Sequence, residues 1–99
     1  MLTERVTVLL PYGIHAAIAH RLHRSASRFS SSVFLRASSE TASLRSVVAV
    51  LALGVQSGAE IDILADGADE AAAVAAVVAM LQSTTDAPDR TSSTRTRSA

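Results

Sequence analysis

The chain reads as an α+β open-faced sandwich: a four-stranded antiparallel sheet with three helices on one face, in the order βαββαβα. Two observations carry that reading. Apolar residues switch several times between period two and helical period along the chain. At least two of the period-two segments keep a polar face, which leaves one side of the sheet to water and the other to the helices. Size and composition set the scale. Ninety-nine residues make one domain with a modest core. Apolar content is 48% but aromatic content only 3%, so Ala, Val, Leu and Ile must build that core.

From Glu4 to Leu10 the residues alternate, with Val6, Val8 and Leu10 on one face and Arg5, Thr7 and Leu9 on the other. This predicts a half-buried strand, with Val6 to Leu10 as its apolar run. Pro11 and Gly13 stop it. Ile18, Leu22, Ala26 and Phe29 then recur at helical spacing, while His20, Arg21, His23, Arg24, Ser27 and Arg28 cover the remainder. That is an amphipathic helix from Ala16 to Phe29 with a basic outer surface.

Ser30-Ser31-Ser32 breaks the helix, and Val33 to Ala37 reads as the second strand. Ser38-Ser39-Glu40 is a hairpin turn without the usual Asn-Gly or Asp-Gly signal, and Thr41 to Leu44 is a short third strand. Ser46 fronts a brief helix, Val47 to Leu53, and Gly54 lies just past its end. Glu60 to Ala65 alternates again, Ile61 and Ile63 inward, Glu60 and Asp62 outward. Asp66-Gly67-Ala68-Asp69 is a turn carrying a helix cap. The last helix, Glu70 to about Gln82, buries Val74, Val77, Val78 and Leu81, and its acidic front suits the helix dipole. The domain therefore covers residues 1–83. Residues 84–99, rich in Ser, Thr and Arg with almost nothing apolar, read as a disordered tail.

Composition excludes several classes of function. There is no cysteine, hence no disulfide framework, thiolate metal site or thiol nucleophile. A formal net charge of zero argues against nucleic acid as the main partner. No run is apolar enough to span a bilayer, and Met1-Leu2-Thr3-Glu4-Arg5 lacks the features of a signal peptide. A cytoplasmic monomer without a cofactor is the default expectation. His20 and His23 would need further ligands to hold a metal, so no metal site is expected and both read as solvated. No Ser-His-Asp arrangement supports hydrolase chemistry.

The chain is organised around Leu10-Pro11-Tyr12-Gly13-Ile14-His15-Ala16-Ala17, where strand turns into helix. His15 falls at the front of that helix, and the N–H groups of Ala16 and Ala17 point out of its first turn, where negative charge is favoured. An imidazole there can take a phosphoryl group whose oxygens the backbone then holds. Taken alone, one histidine after a glycine is a weak motif, and the local pattern favours a plain polar residue at a strand-to-helix corner.

These landmarks in register resemble the HPr family, the histidine phosphocarrier proteins of the bacterial phosphoenolpyruvate-dependent sugar phosphotransferase system. Gly13 and His15 stand at the family's active-site loop and Phe29 closes the first helix. Ser46 opens the short helix that runs to Leu53-Gly54-Val55, Asp66-Gly67-Ala68-Asp69-Glu70 introduces the last helix, and Ala73-Val74 matches the family there. The resemblance spans roughly residues 3 to 82. It implies an HPr-like fold in which His15 is phosphorylated on Nδ1 by phospho-enzyme I and discharged to a sugar-specific enzyme IIA component. It further implies a docking patch of Arg24, Val47, Val48 and Leu51, and a serine kinase acting on Ser46, a residue that equally serves as a helix cap.

The same resemblance exposes departures. Where the family usually has Thr or Ser, then Arg, then Pro after the histidine, this chain has Ala16-Ala17-Ile18. A charge-assisted hydrogen bond of the kind the arginine would make is worth about 1.5–3 kcal/mol, or one to two decades in rate or phosphoprotein stability. Tyr12 replaces a small polar residue, and Ala49 a common lysine or glycine. The alternative expectation is a degenerate HPr-like regulatory or binding module that acts through the Ser46/Val47 patch without phosphotransfer.

Overall fold

The computed structural model describes residues 1–84; apart from Thr84, the expected tail lies outside the described residues. Seven elements follow one another: β1 (Leu2–Thr7), α1 (Ala16–Ala26), β2 (Ser32–Ala37), β3 (Glu40–Ser43), α2 (Val47–Ala52), β4 (Glu60–Asp66) and α3 (Glu70–Leu81). The four strands form one antiparallel sheet in the order β1-β4-β2-β3. The open-faced α+β sandwich is the one the periodicities predict.

Register explains which face is wet. Across the inner face Val6 opposes Ile61, Leu35 opposes Ile63 and Val33 opposes Ala65, and all six are buried. The outer face carries a row of opposite charges: Arg5 and Arg36 stand on either side of Asp62, with ion pairs of 3.3 Å and 3.2 Å. Arg5 also reaches Glu60 at 3.2 Å. Cross-strand pairs of this kind each contribute a fraction of a kcal/mol, so they serve register more than bulk stability. Over the inner face Ile18, Ala19 and Leu22 of α1 meet Ala73, Val74, Val77 and Leu81 of α3 in one core. Val78, expected in the stripe, is half-buried at the rim, and Ala73 takes a core position instead.

Several boundaries differ from expectation. The ladder of β1 covers Leu2–Thr7 rather than the apolar run to Leu10. Its partner β4 begins opposite Thr7, so Val8 instead bonds Gly58 and Ala59, and the Leu9 N–H donates to the Leu81 carbonyl at the end of α3. Val8 and Leu10 remain buried although the pairing has ended. Helix α1 stops at Ala26 rather than Phe29, because the N–H groups of Arg28 and Phe29 bond three residues back and tighten the last turn. Phe29 still packs against the core. The β2–β3 hairpin has the two-residue loop Ser38-Ser39, with Ser38 at a positive φ of 57°.

The carboxylate of Asp69, expected as a cap, does other work. It makes no cap hydrogen bond on α3. It accepts the backbone N–H groups of Ser30 and Ser31, each at 2.9 Å, and both their hydroxyls. One side chain thus fastens the chain between α1 and β2 to the front of α3. The Ser31 hydroxyl and the Ser30 amide are the leading causes that hold the carboxyl down, from an ordinary 3.8 to about 2. Gly67 permits the approach, since a Cβ there would lie 2.6 Å from the Ser31 Cα.

A carboxyl depressed in the folded state stabilises above its unfolded pKa and loses that contribution as pH falls through the folded value. The stability advantage of the native protein over Asp69→Asn is therefore expected to be full above pH about 4 and to vanish toward pH about 2. Urea midpoints of both proteins across that range check it.

Candidate functional site

The corner between β1 and α1 is built by a turn and a close contact. The Gly13 N–H donates to the Leu10 carbonyl at 3.1 Å, closing a turn with Pro11 at its second position. Gly13 has φ 68°, and a Cβ on it would lie 2.4 Å from the Val55 carbonyl oxygen and 2.7 Å from the Gln56 Cα. Both the left-handed conformation and the backbone contact therefore require glycine. The next N–H, from Ile14, donates to the same Val55 carbonyl at 3.0 Å, and the Ile14 side chain is buried. Val55 directly follows α2 and Gly54, so this contact ties the corner to the exit of the short helix.

His15 is the N-cap of α1, with extended backbone angles and its carbonyl accepting the Ala19 N–H at 2.8 Å. The residue is half-buried, while Ala16 and Ala17 are exposed. No side-chain cap hydrogen bond closes this helix end, and no acidic residue occupies its first turn. Negative charge is electrostatically favoured at such a helix end. Tyr12, 76% exposed, is the third residue of the turn.

Helix α2 packs on both α1 and β3. Ser46 is its N-cap: the hydroxyl accepts the Ala49 N–H at 3.1 Å, and the side chain is exposed. Of the three apolar residues singled out on this helix, Val48 is 77% exposed while Val47 and Leu51 are half-buried. Val50, not singled out by the sequence, is the one that enters the core. Arg24 is exposed on α1. With Arg21, Ser25, Arg28 and Met80 it lines a shallow groove, placing it on the flank toward α3 rather than toward α2.

His23 departs from the expectation of a solvated surface histidine. Its Nδ1–H donates to the Leu44 carbonyl at 2.9 Å, which joins the middle of α1 to the segment just before α2. This bond also fixes the ring's tautomer with hydrogen on Nδ1. Nothing in the sequence signals it, because the partner is a backbone atom 21 residues away. His20 is exposed. Among the described residues no group of three or more His, Cys, Asp or Glu could hold a metal ion, and no helix is long and apolar enough to cross a membrane.

Gly13 and Val55 thus hold the two candidate regions together: the helix end at His15 and the short helix begun by Ser46. Changing Gly13 to Ala adds a left-handed backbone penalty to a backbone clash, and the expected destabilisation is about 2–4 kcal/mol. Chemical denaturation of the single variant measures it.

Comparison with known proteins gives the arrangement a lineage. Residues 2–83 match the family model described as PTS HPr component phosphorylation site. The phosphocarrier protein HPr of Lysinibacillus sphaericus is 33% identical over 81 residues, covering 82% of this chain and 92% of that protein. Among solved structures, the phosphocarrier protein HPr of Bacillus anthracis superposes with a TM-score of 0.79 at 28% identity, over 82% of this chain and 96% of its own. The catabolite repression protein Crh of Bacillus subtilis, described as a swapped dimer, gives 0.69 at 30% identity, over 86% and 98%. With the family model matched across nearly all the described residues, and the fold and loop spacing in agreement, this chain belongs to the HPr family of phosphocarrier proteins of the phosphotransferase system.

Proposed function

We propose that this chain is a phosphoryl carrier in which His15 accepts a phosphoryl group from phospho-enzyme I and passes it to a sugar-specific enzyme IIA component. The observation that carries the reading is the place of His15 as N-cap of α1, on a corner that only glycine can form. In the step, the Nδ1 lone pair bonds to phosphorus while the bond from phosphorus to the donor breaks, its electron pair leaving with the donor. The proton on Nε2 stays where it is. Discharge is the reverse step toward the acceptor. The N–H groups of Ala16 and Ala17, at the positive end of the helix, hold the phosphoryl oxygens.

In this reading Val47, Val48 and Leu51 meet both partners, with Arg24 drawing in their acidic surfaces. Ser46 takes a regulatory phosphate from a serine kinase. Phosphate at a helix N-terminus is electrostatically tolerated, so the modification acts by adding charge to the docking patch rather than by unfolding the domain. The replacement of the family arginine by Ala17 favours a second reading: a regulatory module that binds through the same patch without phosphotransfer.

Incubation with phosphoenolpyruvate, magnesium and enzyme I from the same source decides between the two. Acid-labile, base-stable label is expected on the native protein and none on His15→Ala. Ala17→Arg is expected to raise the transfer rate by about ten- to a hundredfold. No label on a folded native protein, with partner binding that survives His15→Ala but fails in Leu51→Glu, gives the module reading instead. Separately, Ser46→Ala loses the Ala49 cap and is expected to cost about 1 kcal/mol in denaturant titration, whereas Ser46→Asp, which can still cap, stays near the native value.

A further inference from the structure

A second cavity lies away from His15, at the other end of α1, where that helix passes the start of β2 and the end of β3. Its volume is about 330 Å³, at the lower end of the range for small-molecule sites. Ala26, Phe29, Val33 and Leu44 supply apolar walls, and His23, Ser27, Ser31 and Arg45 supply polar groups. Most of that polarity is already engaged. The Ser27 hydroxyl donates to the His23 carbonyl, the Ser31 hydroxyl to Asp69, and His23 Nδ1 to the Leu44 carbonyl. Arg45 differs: it is exposed, and its guanidinium has no ion pair among the described residues.

The cavity is also electrically directional. Arg45 follows β3 on one side of β2, while Asp69 stands behind Ser31 on the side of β4, since β2 lies between those two strands. A bound anion is drawn to the Arg45 side and repelled from the Ser31 side. One guanidinium, opposed by a carboxylate at the far wall, suits a monoanion better than a dianion.

We infer that this cavity binds a small carboxylate, its head on the Arg45 guanidinium and its short apolar body among Ala26, Phe29, Val33 and Leu44. The carboxylate takes the paired N–H donors of the guanidinium, and the body covers the half-buried Ala26 and Phe29, with the buried Val33 and Leu44 forming the floor. The site is independent of the phosphocarrier reading, because neither His15 nor its helix end contributes to it. It bears on α2 all the same. Arg45 immediately precedes Ser46, so a carboxylate held there lies beside the cap that begins the short helix.

Titration of the full ¹⁵N-labelled chain with hexanoate, followed by NMR, tests the inference. Saturable amide shifts are expected at Leu44, Arg45, Ser46 and Ala26 to Phe29, with a dissociation constant in the millimolar range. Hexan-1-ol, with the same body and no charge, is expected to bind at least about fivefold more weakly. Arg45→Gln, at an exposed position, is expected to remove that advantage, leaving the two probes equal. Ala26→Leu fills the cavity and is expected to abolish both. His15→Ala is expected to bind hexanoate as the native protein does. Absence of saturable shifts at these residues, or hexanoate binding that is unchanged in Arg45→Gln, overturns the assignment.

Discussion

The contact between Gly13 and the Val55–Gln56 backbone is the constraint on which the candidate functional end of the molecule depends. A missing side chain lets two loops touch, and the Ile14 N–H then finds its acceptor on the facing loop. From that one contact the first turn of α1 takes its position, with His15 as N-cap and two alanines on the surface behind it. The exit of α2 is held by the same atoms. Histidine and short helix thus meet at one corner, although about thirty residues separate them. On the proposed carrier role such a construction has a reason, since donor and acceptor would each bring a reacting group to the same nitrogen.

The opposite end is held by other means. Asp69 gathers Ser30 and Ser31, and His23 reaches the Leu44 carbonyl. Both are side-chain bonds to main-chain atoms in segments that have left their helix or strand. They satisfy backbone groups that the sheet cannot reach. With aromatics so few, such ties complement a core of Ala, Val, Leu and Ile. The cavity beside Phe29 lies where these two ties meet, lined by His23 and Leu44 on one side and Ser31 on the other.

The exposed surface at the front of α1 carries little charge. Ala16 and Ala17 offer backbone donors and little else, and Tyr12 and Val48 add apolar area rather than charge. Electrostatic attraction for an anion at this end therefore falls to the helix N-terminus and to the arginines further along α1. The groove of Arg21, Arg24 and Arg28 lies on the α3 flank of that helix, so the basic and apolar parts of the expected docking surface occupy its two sides.

Much of this was legible without coordinates. Alternation at Ile61 and Ile63 and helical spacing at Ile18 and Leu22 are consequences of which face meets water, and each pattern has a single satisfying geometry. Ser46 as a cap and Gly13 at a corner are likewise local, decided by a few neighbouring atoms. Element ends were less legible, because β1 stops where β4 begins and the chain beyond α1 is taken up by Asp69. Those limits lie in residues far along the chain. The amino-acid sequence by itself determined the elements, their order along the chain and the residue at the helix front, since these follow from periodicity and from turn chemistry, whereas the strand order in the sheet came from the tertiary structure. Only the tertiary structure decided that Asp69 serves the β2 entry instead of its own helix, that His23 is tied to Leu44, and that Gly13 rests on Val55. Each is a meeting of a side chain, or of its absence, with main-chain atoms that no local pattern marks.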